Sequence, residues 1–339
     1  MSNAETAPKI RWGVLGVAGI AVKKVIPAMQ RGARTQITAI ASRDRERAEK
    51  AAAQFGIPKA YGSYEELLGD PEIDAIYNPL PNDLHVPWSV KAAEAGKHVL
   101  CEKPIALTAE EARTLIQVRD ATGVKMGEAF MVRTHPQWLR ARELVRSEAI
   151  GDLKAIMSAF SYFNVDPKNI RNLVSAGGGG LMDIGCYPIT MARFLFGREP
   201  KQVVAAIDRD PEMGTDRLTS ALLDFAPGQA IFTCSTQLVP FQRTQILGTR
   251  GRIEIEIPYN APPDQGARIL IDDGSQLAGR SARAEQFPVL DQYTVQGDLF
   301  SQAIQENRDV AVPIEDAVAN MTVIDALFRS AQTGRWEQP

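Results

Sequence analysis

Cysteine and histidine are both scarce in this sequence, with three residues of each. The cysteines, Cys101, Cys186 and Cys234, are odd in number and far apart, so they suit neither a disulfide framework nor a zinc cluster. This usage is typical of a reducing compartment and predicts a cytoplasmic protein. The histidines are scattered along the chain, and we therefore predict no metal site.

Excess positive charge and long apolar runs are also missing. The 38 Lys and Arg residues are outnumbered by 41 Asp and Glu residues, which gives a formal net charge of -3. This balance excludes the electrostatic attraction on which binding to nucleic acid or to an anionic membrane depends. No apolar run reaches the roughly 18 residues that span a bilayer, and residues 1–9 lack the apolar core of a signal peptide.

The chain is long enough for two domains: its 339 residues compare with roughly 150 per domain. In residues 1–130, short apolar runs alternate with helical patterns, which predicts a doubly wound parallel sheet of the Rossmann type. From residue 131 onward, short turns join neighbouring strands, which must then be antiparallel. We therefore expect an α/β chain whose second domain, residues 131–339, is α+β with a large, open, mostly antiparallel sheet.

A glycine-bearing turn follows the first predicted strand, where dinucleotide-binding domains hold the pyrophosphate. Gly16 permits the tight turn, small residues let the backbone approach the phosphates, and the helix N-terminus supplies N–H groups. Alanine replaces two of the usual glycines, and a tight turn without a ligand is the alternative interpretation. The surrounding alternation of strands and helices favours the nucleotide, and the predicted contacts are Gly16, Ala18, Gly19, Ile20 and Ala21.

The second strand ends in Ala41-Ser42-Arg43, where an NAD-binding domain usually carries an acidic residue for the ribose 2′-hydroxyl. A guanidinium can bind a phosphate through two N–H groups. Ser42 and Arg43 therefore favour the 2′-phosphate of NADP, whereas a solvated arginine at a helix start is the alternative. We predict NADP(H) as the cofactor, either exchanging with solution or held tightly through turnover.

Four motifs resemble those of one protein family. Glu102-Lys103-Pro104 follows the fifth strand, and DIGCY occupies residues 183–187 after a glycine-rich loop. Residues 77–85 read YNPLPNDLH, and residues 128–138 read EAFMVRTHPQW. Together they resemble the glucose–fructose oxidoreductase, inositol dehydrogenase and rhizopine-catabolism (Gfo/Idh/MocA) family over nearly the whole chain. The branch they resemble most oxidises sugars and includes xylose dehydrogenases, aldose–aldose oxidoreductases and dimeric dihydrodiol dehydrogenases. Pro188 and the two fingerprint alanines depart from the family pattern.

Asp183 and Tyr187 are four residues apart, so on a helix they share one face at about 6 Å along the axis. A tyrosine hydroxyl has an ordinary pKa near ~10, and a neighbouring ammonium makes the phenolate easier to form. Lys103 follows a parallel strand, at the end of the sheet where such folds place ligands, and it can supply that ammonium. The structural alternative is a surface lysine, a core tyrosine and a capping aspartate.

The resemblance implies definite roles for these three residues. Tyr187 is expected to accept and donate the proton, Lys103 to assist it and to contact a substrate hydroxyl, and Asp183 to orient the substrate. A cis peptide between Lys103 and Pro104 is also implied.

Further contacts are assigned by position along the chain. For His85 two interpretations stay open, contact with the nicotinamide end of the cofactor or packing alone. Arg171, which precedes the glycine-rich loop, and Tyr293, which opens a late helix, are the predicted sugar contacts beside Lys103, Asp183 and Tyr187. The predicted cofactor contacts beyond the glycine turn are Pro81, Asn82, His85, Glu102 and Lys103.

These inferences predict an NADP-dependent oxidoreductase that oxidises the C1 hydroxyl of an aldopyranose to a lactone. A variant of this chemistry would return the hydride to a second, open-chain sugar while the cofactor stays bound. A trans-dihydrodiol dehydrogenase and a non-catalytic NADP-binding sensor are the alternatives. The open sheet and the resemblance further predict a homo-oligomer, most simply a dimer formed through the C-terminal sheet.

Overall fold

The structure is a computed structural model that describes residues 8–339, so most of the polar stretch 1–9 lies outside the described residues. The chain divides into two compact units. The first contains the chain up to Ala106, Glu110–Met131 and Asp291–Ala317, and the second contains Leu107–Ala109, Val132–Leu290 and Val318–Pro339. The expected second domain, 131–339, therefore differs from the structure at Asp291–Ala317, which packs with the first unit.

The first unit contains a six-stranded parallel sheet, as the strand–helix alternation predicts. Its order is β3-β2-β1-β4-β5-β6, so the order reverses between β1 and β4. Ligands of such sheets bind beyond the carboxyl ends of the strands at this reversal. The strands are β1 Ile10–Leu15, β2 Thr35–Ala41, β3 Lys59–Tyr61, β4 Ala75–Asn78, β5 His98–Cys101 and β6 Met126–Glu128.

One helix of the first unit, Arg45–Phe55, begins and ends where the sequence carries caps. Asp44 accepts a hydrogen bond from the Arg47 N–H, and Gly56 ends the same helix at φ 63°. One π-helical turn, Ala21–Val25, precedes α1, and Pro27 lies in the first turn of α1. The helices of this unit are α1 Ile26–Gln30, α2 Arg45–Phe55, α3 Tyr64–Leu68, α4 His85–Glu94, α5 Ala109–Thr122 and α8 Gln292–Gln305.

Helix α8 belongs to the first unit because it completes the core of the parallel sheet. The Trp12 indole N–H donates to Ser301 Oγ at 3.1 Å, and its ring lies 5.5 Å from that of Phe300. The Asp298 carboxylate accepts the Arg34 N–H at 2.8 Å. Trp12 is fully buried by these contacts. The sequence pattern predicts this helix but not its packing, because a helical pattern does not reveal which sheet the helix covers.

The second unit contains an eight-stranded sheet in the order β14-β13-β12-β11-β7-β10-β9-β8. Its pairs are antiparallel except β7 with β10, which confirms the expected mostly antiparallel sheet. Its strands are β7 Leu153–Phe163, β8 Gln202–Arg209, β9 Asp216–Asp224, β10 Gln229–Ser235, β11 Gln237–Gly248, β12 Arg252–Ile255, β13 Arg268–Asp272 and β14 Arg283–Gln286. Its helices are α6 Pro136–Arg146, α7 Cys186–Phe196 and, from Val318 on, α9 Ile314–Thr333.

The two faces of the second sheet differ in burial. Phe160, Phe232 and Ile246 on one face are at most 5% exposed. On the other face Met157 is 43%, Ile231 41% and Phe241 50% exposed. These three line an apolar depression of about 740 Å³ on the sheet. Within residues 8–339, no helix is long and apolar enough to cross a membrane.

Candidate active site

The glycine-bearing turn lies at the carboxyl end of β1. Gly16 has φ 83°, a conformation that favours glycine, and its N–H donates to the Ala41 carbonyl at 2.8 Å. A Cβ at Gly19 would meet no described atom within 4 Å, so the space beside the first helical turn is open. Ala21 is fully buried. A turn of this shape, open at a helix start, fits the pyrophosphate of a dinucleotide.

At the carboxyl end of β2, Ser42 is buried whereas Arg43 is exposed. The Ser42 hydroxyl is buried and accepts the Asp44 N–H at 3.2 Å, so it shapes the turn into α2. Arg43 is exposed. Its neighbours are engaged with protein groups: Arg45 pairs with Glu66 at 2.9 Å, and Arg47 donates to the Val17 carbonyl at 2.8 Å. All three arginines are exposed, and Arg43 differs from the other two in having no hydrogen bond or ion pair to another described residue.

The His85 ring lies between two backbone carbonyls and can donate its single N–H to one of them. Pro81 and Asn82 lead into a short 3₁₀ turn, Asn82–Leu84, directly after which α4 begins at His85. Its ring nitrogens lie 2.7 Å from the carbonyl oxygens of Leu80 and Pro104, and the side chain is 1% exposed. Desolvation lowers the pKa of His85 to about 4. This geometry favours packing, the second of the two interpretations that the sequence leaves open.

The Glu102-Lys103-Pro104 segment is anchored from β4. The Tyr77 hydroxyl donates to Glu102 Oε1 at 2.6 Å, and both side chains are buried. The Lys103–Pro104 peptide is cis, as the family resemblance implies. Burial raises the pKa of Tyr293, with Glu102 raising it further and Lys103 opposing. Helix α8 therefore brings Tyr293 into electrostatic range of Glu102 and Lys103.

In the second unit, Asp183 is the centre of a hydrogen-bond network. It lies in one π-helical turn, Leu181–Gly185, directly before α7. Its Oδ2 accepts the Tyr162 hydroxyl at 2.6 Å and the Arg171 Nε–H at 3.0 Å. The pKa of Arg171 is raised, and the charge of Asp183 is the largest cause. The structure thus joins two residues that the sequence predicts, Asp183 and Arg171, with one that it does not, Tyr162.

Tyr187 lies in the first turn of α7 and is packed on one side by aromatic rings. Its ring centroid is 5.6 Å from that of Phe160, edge to face, and 5.3 Å from that of Tyr259. Tyr259 is fully buried, and its hydroxyl lies 3.2 Å from Thr244 Oγ1. Phe160 and Tyr259 therefore fix the plane of the Tyr187 ring. Their signal in the sequence is weak, because aromatic residues at such positions are usual in any core.

A buried carboxylate secures the glycine-rich loop before Asp183. Asp216 Oδ2 accepts the Leu181 N–H at 2.6 Å, and a Cβ at Gly179 would lie 1.9 Å from Asp216 Oδ1. Gly179 has φ 122°, so both its backbone and its surroundings require glycine. The loop is thus closed onto β9, and no local pattern in the sequence identifies Asp216 as its partner.

Over residues 8–339, no group of three or more His, Cys, Asp or Glu side chains could hold a metal ion. The parallel sheet with its glycine turn, and the phenol–carboxylate–cation set of the second unit, define a nucleotide-dependent oxidoreductase as the class of protein.

The comparison with family models agrees with this class. Residues 10–130 match the oxidoreductase family model with an NAD-binding Rossmann fold, and residues 138–254 match the C-terminal domain model of the same family. The chain belongs to the Gfo/Idh/MocA oxidoreductase family and has an NAD(P)-binding Rossmann domain. The family resemblance predicted from the four motifs is confirmed.

Curated relatives match over most of the chain. An uncharacterized oxidoreductase of Rhizobium meliloti is 49% identical over 97% of this chain and 98% of its own length. The NADP⁺-dependent D-xylose 1-dehydrogenase 2 of Haloferax volcanii is 38% identical over 95% of this chain and 98% of its own. The trans-1,2-dihydrobenzene-1,2-diol dehydrogenase of Mus musculus is 34% identical over 73% of this chain and 74% of its own.

Two solved structures have the same fold over nearly the whole chain. The aldose–aldose oxidoreductase of Caulobacter crescentus, complexed with glycerol, superposes with a TM-score of 0.89 at 27% identity and covers 98% of this chain and all of its own. The 3-ketoreductase of Actinomadura kijaniata, in complex with NADP and TDP-benzene, has a TM-score of 0.88 at 29% identity and covers 95% and 98%.

Proposed function

We propose that the protein is an NADP-dependent dehydrogenase that oxidises the C1 hydroxyl of an aldopyranose to the lactone. The observation that carries the proposal is the ion pair between Asp183 and Arg171. Asp183 stands four residues before Tyr187 in the chain. This arrangement places a carboxylate, a cation and a phenol within one unit of the chain. The similarity to the xylose dehydrogenase over nearly the whole length supports a sugar as substrate.

The residues of the chain have separate tasks in this reaction. NADP⁺, when bound, supplies the hydride acceptor. Tyr187 takes the proton of the C1 hydroxyl while the hydride leaves C1, so that the O–H and C–H bonds break as the carbonyl forms. A nearby cation stabilises the phenolate; Arg171 lies in electrostatic range of Tyr187, and Lys103 is the second cation that the family implies. Asp183 accepts a hydrogen bond from a sugar hydroxyl and orients the ring.

The choice of NADP over NAD rests on the end of β2. Arg43 is exposed there, while the charges of Arg45 and the donor groups of Arg47 are engaged with Glu66 and the Val17 carbonyl. A solvent-facing guanidinium can bind a phosphate through two N–H groups. We assign it to the ribose 2′-phosphate, with the Ser42 hydroxyl shaping the turn. The names of the xylose dehydrogenase and of the 3-ketoreductase structure both include NADP.

A second copy of the chain is the proposed cover of the exposed sheet face. Met157, Ile231 and Phe241 are each at least 41% exposed there and lie on neighbouring strands. Contiguous apolar surface of this kind is a frequent mark of protein–protein contact. A twofold dimer would bury the same face of both copies.

A second candidate function is reduction of a keto group on a nucleotide-linked sugar. The observation that favours it is the superposition with the 3-ketoreductase bound to NADP and TDP-benzene. The same residues would act in reverse, with Tyr187 donating the proton to the keto oxygen. The dihydrodiol dehydrogenase relative makes a cyclic arene diol a third substrate class for the same chemistry.

One substrate panel distinguishes these candidates. Purified protein is given NADP⁺ with aldoses or an arene dihydrodiol, and NADPH with a keto-sugar nucleotide, and the absorbance of NADPH is followed. We expect turnover with an aldose. Turnover with only the diol or only the keto-sugar would replace the proposal, and no turnover with any of them would favour a non-catalytic NADP sensor.

Replacement of Tyr187 by Phe tests the proposed proton acceptor. Turnover should fall by roughly 10²- to 10⁴-fold, the usual contribution of a positioned acid–base group. NADP affinity, measured by fluorescence titration, should stay unchanged because the ring and its contacts with Phe160 and Tyr259 are kept. Near-normal turnover would show that another group accepts the proton.

Retention of the cofactor through turnover has its own test. The superposition with the aldose–aldose oxidoreductase supports it, and we place it second to simple exchange. Desalted protein is incubated with glucose alone. Formation of gluconolactone and sorbitol without added NADP⁺ would establish recycling, whereas lactone formation only after addition of NADP⁺ would establish an ordinary dehydrogenase.

A further inference from the structure

We propose that Tyr162 is a positioning residue that, together with Arg171, clamps the Asp183 carboxylate in the orientation that receives a substrate hydroxyl. The proposal rests on the proposed function, which gives Asp183 its contact with the sugar. Both donors bind the same oxygen, Oδ2, the Tyr162 hydroxyl at 2.6 Å and the Arg171 Nε–H at 3.0 Å. Two donors on one oxygen fix the rotation of the carboxylate about its Cβ–Cγ bond.

The alternation of side chains along β7 explains why Tyr162 reaches Asp183. Ile156 and Phe160 are buried on the inner face of the strand, and residues two positions apart share a face. Phe160 packs edge to face on Tyr187. Tyr162, two residues further, therefore points to the same side and meets the π-helical turn that carries Asp183. One face of one strand supports both the ring of Tyr187 and the carboxylate of Asp183.

Arg171 is held in a loop whose backbone is tied down. The buried Asn172 side chain donates to the Asp166 carbonyl at 2.8 Å. The Arg171 carbonyl accepts the Gly179 N–H at 2.8 Å. The loop before Arg171 and the glycine-rich loop after it are therefore linked directly. Because its Nε is bound to Asp183, Arg171 acts on the substrate through Asp183 as well as by any contact of its own.

Groups near Asp183 and its partner Arg171 come from several elements. They include Tyr162 on β7, Arg171 in its 3₁₀ turn and the buried thiol of Cys234 on β10, whose raised pKa includes a contribution from Asp183. Tyr187 on α7 lies in electrostatic range of Arg171. Donors that bind the ionised carboxylate favour that form. An ionised carboxylate only accepts hydrogen bonds, which suits it to a hydroxyl donor of a sugar. Loss of the Tyr162 hydroxyl should therefore raise the pKa of Asp183.

Replacement of Tyr162 by Phe removes only this hydroxyl and keeps the ring. Carboxyl-¹³C aspartate is incorporated into the full-length protein, and the Asp183 signal is identified by its loss in Asp183→Asn. We expect the Asp183 pKa in Tyr162→Phe to rise by about 1 unit or more, since a hydrogen bond to a charged group contributes about tenfold or more. The acid limb of kcat/KM should move to higher pH by the same amount.

Tyr61→Phe is the matched control, because the Tyr61 hydroxyl donates to another carboxylate, Asp70, at 2.8 Å. It should change neither the Asp183 titration nor the acid limb. An Asp183 pKa that is the same in Tyr162→Phe and the wild type would overturn the proposal. The titration needs no turnover, so it tests the role of Tyr162 even if the protein oxidises no sugar. The absence of sugar oxidation would contradict the proposed function and not the role of Tyr162.

Discussion

Asp216 offers a test of the loop geometry that is independent of catalysis. Its carboxylate is 1% exposed and accepts the Leu181 N–H and, at 3.1 Å, the Thr219 hydroxyl. Desolvation raises the pKa of Asp216 to about 6, although these hydrogen bonds act in the opposite direction. An aspartate in an unfolded chain has a pKa of about 3.9. Ionisation is therefore harder in the folded protein than in the unfolded chain.

The sign of the pH dependence follows from this difference. Because the folded pKa is raised, the contribution of Asp216 to stability is fully present below about pH 4 and is lost as the pH rises through about 6. The difference of about 2 units corresponds to about 3 kcal/mol of unfolding free energy, at 1.36 kcal/mol per unit. Asn at this position has nearly the same shape, keeps an acceptor oxygen and cannot ionise.

We therefore expect Asp216→Asn to gain up to about 3 kcal/mol in unfolding free energy relative to the wild type between pH 4 and pH 7. Differential scanning calorimetry at pH 4, 5, 6 and 7 measures the change. Because a chain with two units can show more than one unfolding transition, the comparison uses the transition whose midpoint the substitution shifts. Asp272→Asn is the control. Hydrogen bonds from Ser281, Gly274 and Arg252 lower the pKa of Asp272 to about 2, so its effect should be destabilising and constant from pH 5 to 7.

A difference between Asp216→Asn and wild type that does not change with pH would refute the reasoning. It would mean that the carboxylate ionises as easily in the folded protein as in the unfolded chain. The same result would remove the argument that the glycine-rich loop encloses a desolvated charge.

Three further predictions concern the cofactor, the sheet face and the core. Arg43→Ala should weaken NADP by about 10- to 150-fold, the range for a hydrogen bond to a charged group, and NAD hardly at all; equal losses in binding titrations would contradict the 2′-phosphate assignment. Phe241→Glu should convert the proposed dimer to a monomer in sedimentation without changing NADP affinity, and a wild type that sediments as a monomer at all concentrations would exclude the dimer. Ser301→Ala leaves the buried Trp12 N–H without its acceptor, so the free energy of unfolding should fall by about 1–3 kcal/mol in urea titrations, and no loss would show that water replaces the hydroxyl.

Elements with strong local signals could be predicted from the sequence. Asp44 and Gly56 are strong local signals at the two ends of α2, where they serve as its caps. Short turns between β9 and β10, and between β11 and β12, predict the antiparallel pairs that the structure contains. The sequence patterns do not predict β13 and β14. For β14 the signal is weak because this strand is four residues long, largely polar and paired on one side only.

The candidate site was only partly accessible to sequence reasoning. Lys103, Asp183 and Tyr187 could be singled out because each stands in a motif of consecutive residues, Glu102-Lys103-Pro104 after the fifth strand or DIGCY at residues 183–187. Tyr162 has no such pattern: its partner lies 21 residues away, and the contact depends on the register of a strand against a helix turn. His85 stands in a motif, yet its ring lies 2.7 Å from the Pro104 carbonyl, which no spacing rule locates.

The packing of α8 has a consequence for how the protein can be made and re-engineered. The six strands of the first sheet end at Glu128, yet the Trp12 indole is covered by Ser301 and Phe300, which come much later in the chain. On the ribosome, the nucleotide-binding half therefore emerges early and can finish its core only when nearly nine-tenths of the chain has been synthesised. A gene fragment that stops after Met131 would leave this part of the core open. An exchange of the first unit between relatives must accordingly transplant both the N-terminal part of the chain, up to Met131, and the later segment Asp291–Ala317.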